Sequence, residues 1–198
     1  MLILASQSPR RRELLRAAGI AFRVVVPDVE EDWSGAARGR YADLVRRAAL
    51  AKASEVAGRE RGLVLGADTV VVCEGEILGK PADEGDARRM LRKLSGRRHG
   101  VYTGVALVKG SRRVVGYERT EVAFRELSKK QIDWYVSTGE PMDKAGSYAI
   151  QGTGAALVRA VRGCYTNVIG LPLPKVLDLL AEFERRRSAG RPHGGGRR

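Results

Sequence analysis

Short apolar runs alternate with polar punctuation along this chain. Residues 2–5 form a brief unbroken apolar run, the pattern of a buried strand. Ser8 and Pro9 then read as N-cap and first helical residue, Leu14, Leu15 and Ala18 supply an apolar face, and Gly19 stops the helix. Residues 22–26 predict a second strand, stopped by Pro27 and followed by an acidic loop over 28–32. Leu44, Val45, Ala48, Ala51 and Lys52 keep helical spacing and predict a long helix over 41–56. Residues 63–65 and 69–72 are strand-like, with Gly66-Ala67-Asp68 between them as an Asx-type turn. Glu74-Gly75-Glu76 predicts a hairpin returning through Ile77 and Leu78. A helix follows over 83–94, and the alternating runs 100–108 and 112–124 flank Lys109-Gly110-Ser111 as a second hairpin. Ser128 caps a helix over 128–137, residues 139–154 form a Gly-rich polar loop, 155–161 a strand, and 172–184 a last helix. Helices alternate with strands early and hairpins dominate the middle. That order predicts an α/β domain over 1–184 with a mixed, twisted sheet flanked by helices.

Charge changes this picture at one end. Of 36 Lys and Arg against 23 Asp and Glu in 198 residues, six Arg fall in residues 185–198, which contain no acid. The rest of the chain holds 30 basic and 23 acidic residues, a net charge of +7 instead of +13. The tail, RRRSAGRPHGGGRR, lacks an apolar period, so disorder and a solubilising role are expected, with weak phosphate contact to nucleic acid as the alternative. Cys73 and Cys164 lie in apolar runs and read as buried reduced thiols, and His99 and His193 are too few for a His-rich metal site. The apolar stretch 63–73 is interrupted by Asp68 and is too short to span a bilayer. The N-terminus has no basic segment before its apolar run and reads as a strand, not a signal peptide, so a cytoplasmic location is expected.

The chemistry concentrates in four places. Ser6-Gln7-Ser8-Pro9-Arg10-Arg11-Arg12 joins a strand to a helix N-terminus, where backbone N–H groups, hydroxyls and guanidiniums suit phosphate oxygens. Three cations there oppose the helix dipole, which favours a compensating anion over a merely basic first turn. Asp68 in LVLGADTVVV is a carboxylate between apolar segments, which a metal, a lysine or an activated water would explain. Lys52 lies on the apolar face of its helix, Lys80 in the tight loop Gly79-Lys80-Pro81, and Glu30 and Glu31 just past a strand. Residues 139–152 form a loop dense in Gly and charge, and the amide of Gln151 can read a base edge. The bland readings are a snorkelling lysine, a solvated acidic loop and an exposed polar loop. No Ser/His/Asp triad, CxxC, HExxH or Walker A pattern is present.

Together LASQSPRRRELL, GADTVVV with its GKP, LRKLSGRRHGVYTGVAL and GEPMDKAGSYAIQG resemble the Maf family of nucleotide pyrophosphatases over about residues 2–183. DKAGSYAIQG resembles the dTTP/UTP branch; the branch acting on 7-methyl-GTP has a different loop. The resemblance implies an α/β fold like that of inosine triphosphate pyrophosphatases, a homodimer, and hydrolysis of a nucleoside triphosphate to monophosphate and pyrophosphate with Mg²⁺ or Mn²⁺. It implies Asp68 as catalytic carboxylate, Arg10, Thr69 and Gln151 as specificity positions, and Ser8, Arg11, Lys52 and Lys80 as phosphate-binding groups. Glu30 and Asp68 would hold the metal with phosphate oxygens. Arg12 varies in the family, and the Arg/Gly tail is not part of its pattern. House-cleaning of the nucleotide pool, with an older link to septum formation, comes with the same resemblance. The competing class is a nucleic-acid-binding regulator; against it, aromatic residues are only 6% and are not clustered with basic ones in the sequence.

Overall fold

The computed structural model describes residues 1–29 and 39–189, with side chains described as far as Arg185. Among the described residues seven strands form one mixed sheet: β1 (Leu2–Ala5), β2 (Phe22–Val25), β3 (Leu63–Cys73), β4 (Glu76–Leu78), β5 (Arg98–Lys109), β6 (Arg112–Phe124) and β7 (Val158–Arg162). Their order is β2-β1-β3-β5-β6-β7, with β4 paired to the far end of β3. Strand β1 runs parallel to β2 and β3, while β3–β5, β5–β6 and β6–β7 are antiparallel. The helices are α1 (Pro9–Ala17), α2 (Tyr41–Arg59), α3 (Glu84–Leu94), α4 (Lys129–Ser137), α5 (Tyr165–Ile169) and α6 (Leu173–Ala189).

The local signals act as predicted in most elements. The Ser8 hydroxyl accepts from the Arg11 N–H with Pro9 opening α1, and Ser128 forms a capping box with Gln131 at the start of α4. Leu65, Val71 and Leu107 line the larger core, against α3, α4 and α6. Ile3, Val64 and Ala106 meet Ala49, Ala53 and Val56 of α2 on the other face.

Several expectations change. Gly66-Ala67-Asp68 is not a turn: β3 runs unbroken through it, pairing Gly66, Ala67 and Asp68 with Ala106, Val105 and Gly104 of β5. The glycines explain why such residues sit in a strand. A Cβ on Gly66 would overlap the backbone of Ala49 and Ala53, and one on Gly104 the backbone around Val45. Helix α2 therefore lies directly on the sheet at two positions without side chains. The last helix also runs past Glu184 to Ala189, into the segment expected to be disordered. Its Glu, Arg and Ala residues are good helix formers, with no breaker before Gly190. The remaining tail residues, 190–198, lie outside the described residues, as do Glu30, Glu31 and Asp32 of the acidic loop. The strand expected over 155–161 starts only at Val158, after a 3-10 turn, and the short helix α5 was not foreseen. No described helix is long and apolar enough to cross a membrane.

Candidate active site

A gap in strand pairing creates the site. Strand β1 covers the edge of β3 only as far as Gly66, and β4 begins to cover it only at Val71. Between them, among the described residues, no strand pairs with this edge of β3. The chain leaves β1 through Ser6-Gln7-Ser8 and leaves β4 through Gly79-Lys80 at this same gap. A cleft of about 390 Å³ opens there, beyond the C-terminal end of β1, a place where sheets of this kind bind ligands. Successive strand residues face opposite sides of the sheet, so Asp68 points towards α2 and Thr69 towards α5. Both still line the cleft, because it wraps around the bare strand edge.

The floor is charged and buried. Lys52 of α2 donates to Asp68 Oδ1 at 2.5 Å, with the two residues only 6% and 2% exposed. The close seating of α2 over Gly66 and Gly104 lets the lysine reach the carboxylate. An opposite charge at this distance offsets the cost of burying either ion alone, a penalty of about 3–5 kcal/mol when one partner is removed.

The basic helix start divides its labour. Arg11 turns inward, 9% exposed, and donates to Gly170 O at 2.8 Å, Ser6 Oγ at 3.2 Å, Ala67 O at 2.9 Å and Thr69 Oγ1 at 3.1 Å. Protein acceptors thus surround the guanidinium expected to hold phosphate, and it acts as a brace between β1, β3 and the end of α5. Ser8, also expected at phosphate, uses its hydroxyl as the helix cap. Arg10 stays at the cleft and pairs with Asp143 at 3.2 Å. Burial works against the Asp143 charge, but the Lys144 ammonium and the Arg10 guanidinium hold its carboxyl below the ordinary range. Lys80 is exposed at the rim.

The wall opposite the helix start comes from residues 139–154, folded into 3-10 turns. Gln151 is exposed and lines the cleft. Its surroundings are tied down from beneath. The Glu140 carboxylate accepts from the N–H groups of Thr153 and Gly154 at 3.1 and 2.8 Å. The buried Tyr135 hydroxyl accepts from the Ala149 N–H at 3.0 Å, and burial and then the Glu140 carboxylate raise its pKa. Tyr148 meets His99 Nε2 at 2.8 Å inside an edge-to-face cluster with Phe124, and burial lowers the His99 pKa to about 4.

The cleft therefore brings together Ser8, Arg10, Arg11, Lys52, Asp68 and Thr69 with Lys80 and Gln151. Glu30 lies outside the described residues. Ser6, Asp143 and Lys144 also line the cleft; all three belong to motifs singled out in the sequence, but none was assigned a role of its own. Among the described residues no group of three or more His, Cys, Asp or Glu side chains is arranged to hold a metal. Asp68 can still supply one carboxylate to a cation whose other ligands are phosphate oxygens and water, a donor set that suits Mg²⁺. Elsewhere the folded chain does bring rings and arginines together: Arg119 lies over the Tyr102 ring and Arg46 over the Tyr117 ring. Cys73 is buried and Cys164 half-buried, both as thiols.

Residues 1–183 match the family described as Maf-like protein. A dTTP/UTP pyrophosphatase of Symbiobacterium thermophilum is 56% identical over 183 residues, 92% of this chain and 93% of that protein. A dTTP/UTP pyrophosphatase of Bacillus cytotoxicus is 51% identical over 183 residues, 92% of this chain and 95% of that protein. Among solved structures, the Ham1 protein of Staphylococcus aureus aligns over 94% of this chain and 98% of its own with a TM-score of 0.52. Its sequence identity is 13%, so the likeness is one of fold.

Proposed function

The chain belongs to the Maf-like protein family, and from that premise we propose that it hydrolyses dTTP and UTP to the monophosphate and pyrophosphate. The observation that carries the reading is the convergence of residues from three separate motifs, including Arg10, Asp68 and Gln151, on one cleft. Its volume falls in the range of small-molecule sites, roughly 300–1,000 Å³. The names of the relatives at 56% and 51% identity support the choice of nucleotide.

In this reading the triphosphate lies along the basic rim, with Arg10 and Lys80 donating to its oxygens. Asp68 accepts a proton from a water as the water oxygen bonds to the α-phosphorus. The bond from that phosphorus to the α–β bridging oxygen breaks, and its electron pair leaves with pyrophosphate. Lys52 pairs with the carboxylate and orients it beneath the reacting phosphate. Mg²⁺ or Mn²⁺, held by Asp68 and Glu30 with phosphate oxygens, would neutralise charge on the triphosphate. The Gln151 amide offers a donor and an acceptor to the carbonyl–NH–carbonyl edge of uracil or thymine. Removal of unwanted triphosphates from the nucleotide pool is the cellular purpose this activity would serve. A homodimer, implied by the family resemblance, belongs to the proposal and is checked by light scattering.

The test is a panel of nucleoside triphosphates with Mg²⁺, Mn²⁺ or no metal, with both products identified. Fastest turnover of dTTP and UTP to monophosphate and pyrophosphate is expected. Diphosphate with orthophosphate, or faster turnover of ITP or 7-methyl-GTP, would contradict the reading.

A further inference from the structure

Behind Thr69 lies a buried polar column that the catalytic reading leaves unused. Thr69 Oγ1 meets Thr103 Oγ1 at 3.0 Å, and Thr103 also reaches Asn167 O at 3.4 Å. Asn167 Nδ2 donates to Val101 O at 3.0 Å and to Thr120 Oγ1 at 2.9 Å. Thr103, Thr120 and Asn167 are each 0% exposed. Within this column only Thr103 touches the Thr69 hydroxyl at the cleft, and α5 and β6 stand behind it through Asn167.

The hydrogen count at that hydroxyl is constrained. A threonine hydroxyl has one proton and two lone pairs, and an arginine only donates. Arg11 therefore fills one lone pair of Thr69. If the Thr103 proton points to Asn167 O, Thr69 donates to Thr103 and keeps a lone pair for the cleft. If it points to Thr69, both lone pairs are filled and the Thr69 proton is left for the cleft or for Gly170 O at 3.4 Å. In either arrangement Thr103 sets what Thr69 can offer.

We propose that Thr103 is a positioning residue for nucleotide selection, acting through the Thr69 hydroxyl that it and Arg11 hold between them. This rests on the reading of Thr69 as a group that faces the nucleotide. A uracil or thymine edge places a carbonyl beside an N–H, whereas cytosine has an acceptor nitrogen in place of that N–H. In each of the two arrangements Thr69 presents a single polarity tied to the Thr103 proton, which distinguishes these edges; one released from Thr103 reorients independently towards either.

The experiment compares kcat/KM for UTP and CTP in wild type, Thr103→Val, Thr103→Ser and Thr69→Val, with a melting curve for each. Thr103→Val keeps the volume and removes the hydroxyl. The UTP-to-CTP ratio should change by about threefold to tenfold, the range one hydrogen bond supports, and Thr103→Ser should restore it. A purely structural role would lower the melting temperature and leave the ratio alone. A smaller change in Thr103→Val overturns the inference, whether or not Thr69→Val changes the ratio. If Thr103→Val does not fold, Thr103→Ala takes its place with the same outcomes. Loss of the functional reading is a separate result, because wild type itself would then fail to release pyrophosphate from UTP.

Discussion

The floor and the wall of the cleft are built on opposite principles. The floor is an ion pair, Lys52–Asp68, mounted on the long helix α2 and the central strand β3 and buried from water. The wall is irregular chain, and its reading group, Gln151, is exposed. Regular elements hold the floor because its charge must stay in one place at low dielectric. The wall needs backbone directions that strands and helices do not offer, so side chains fix it instead: Glu140, Tyr135 and His99. The contrast separates two kinds of damage. Changes in the floor should slow every nucleotide alike, and changes under the wall should alter binding and choice.

Asp68→Asn is the strongest break. Asn keeps an oxygen for the Lys52 ammonium but not its counter-charge, so the melting temperature should fall with the fold still formed, while kcat falls about a hundredfold to ten-thousandfold for all substrates. Steady-state rates with UTP and dTTP beside a melting curve give the check. Wild-type turnover in a folded Asp68→Asn would remove Asp68 from the reaction.

A weaker break lies under the wall. Glu140→Gln turns an acceptor into a donor that faces a backbone N–H, a loss of about 1–3 kcal/mol. KM for UTP should rise about tenfold, with kcat affected less. Equal losses in kcat and kcat/KM would tie Glu140 to the floor.

The mildest test uses acid. His99 has a folded pKa of about 4 against its ordinary 6.5, so the unfolded chain takes up the proton first as pH falls. Stability from this group is therefore complete above pH 6.5 and is lost progressively down to about pH 4. At pH 5.5 the loss is about 1 kcal/mol, visible as a lower melting temperature. His99→Gln should flatten that slope; an unchanged slope would place the acid sensitivity elsewhere.

How much of this could be read beforehand differed between the two regions. The wall motif was legible as a binding loop from its Gly and charge density, and Gln151 stood out within it. The chemistry of the floor was legible too, but its structure was not. Gly66 and Asp68 carry turn signals locally; the glycine is there to admit α2, and the aspartate is neutralised by a lysine sixteen residues earlier in the chain. Neither reason is visible in a local window. Arg11 shows the same limit: its charge at a helix start suggested an anion, and no local window shows that backbone carbonyls from β3 and from the end of α5 also receive its donors while it lines the cleft. The column of Thr103 and Asn167 had no local signal, since it forms only when β5, β6 and α5 meet. The basic extension also looks different on the fold. Phe183 is buried and α6 continues to Ala189, so a truncation that removes only the tail belongs after Ala189 and should leave turnover unchanged.

The central claim is that water attacks the α-phosphorus at the Asp68 end of the cleft. Turnover of dTTP in ¹⁸O-labelled water, followed by mass analysis of both products, tests it most directly. One labelled oxygen in dTMP and none in pyrophosphate is the expected result. Label in pyrophosphate, or in orthophosphate released beside a diphosphate, would contradict it.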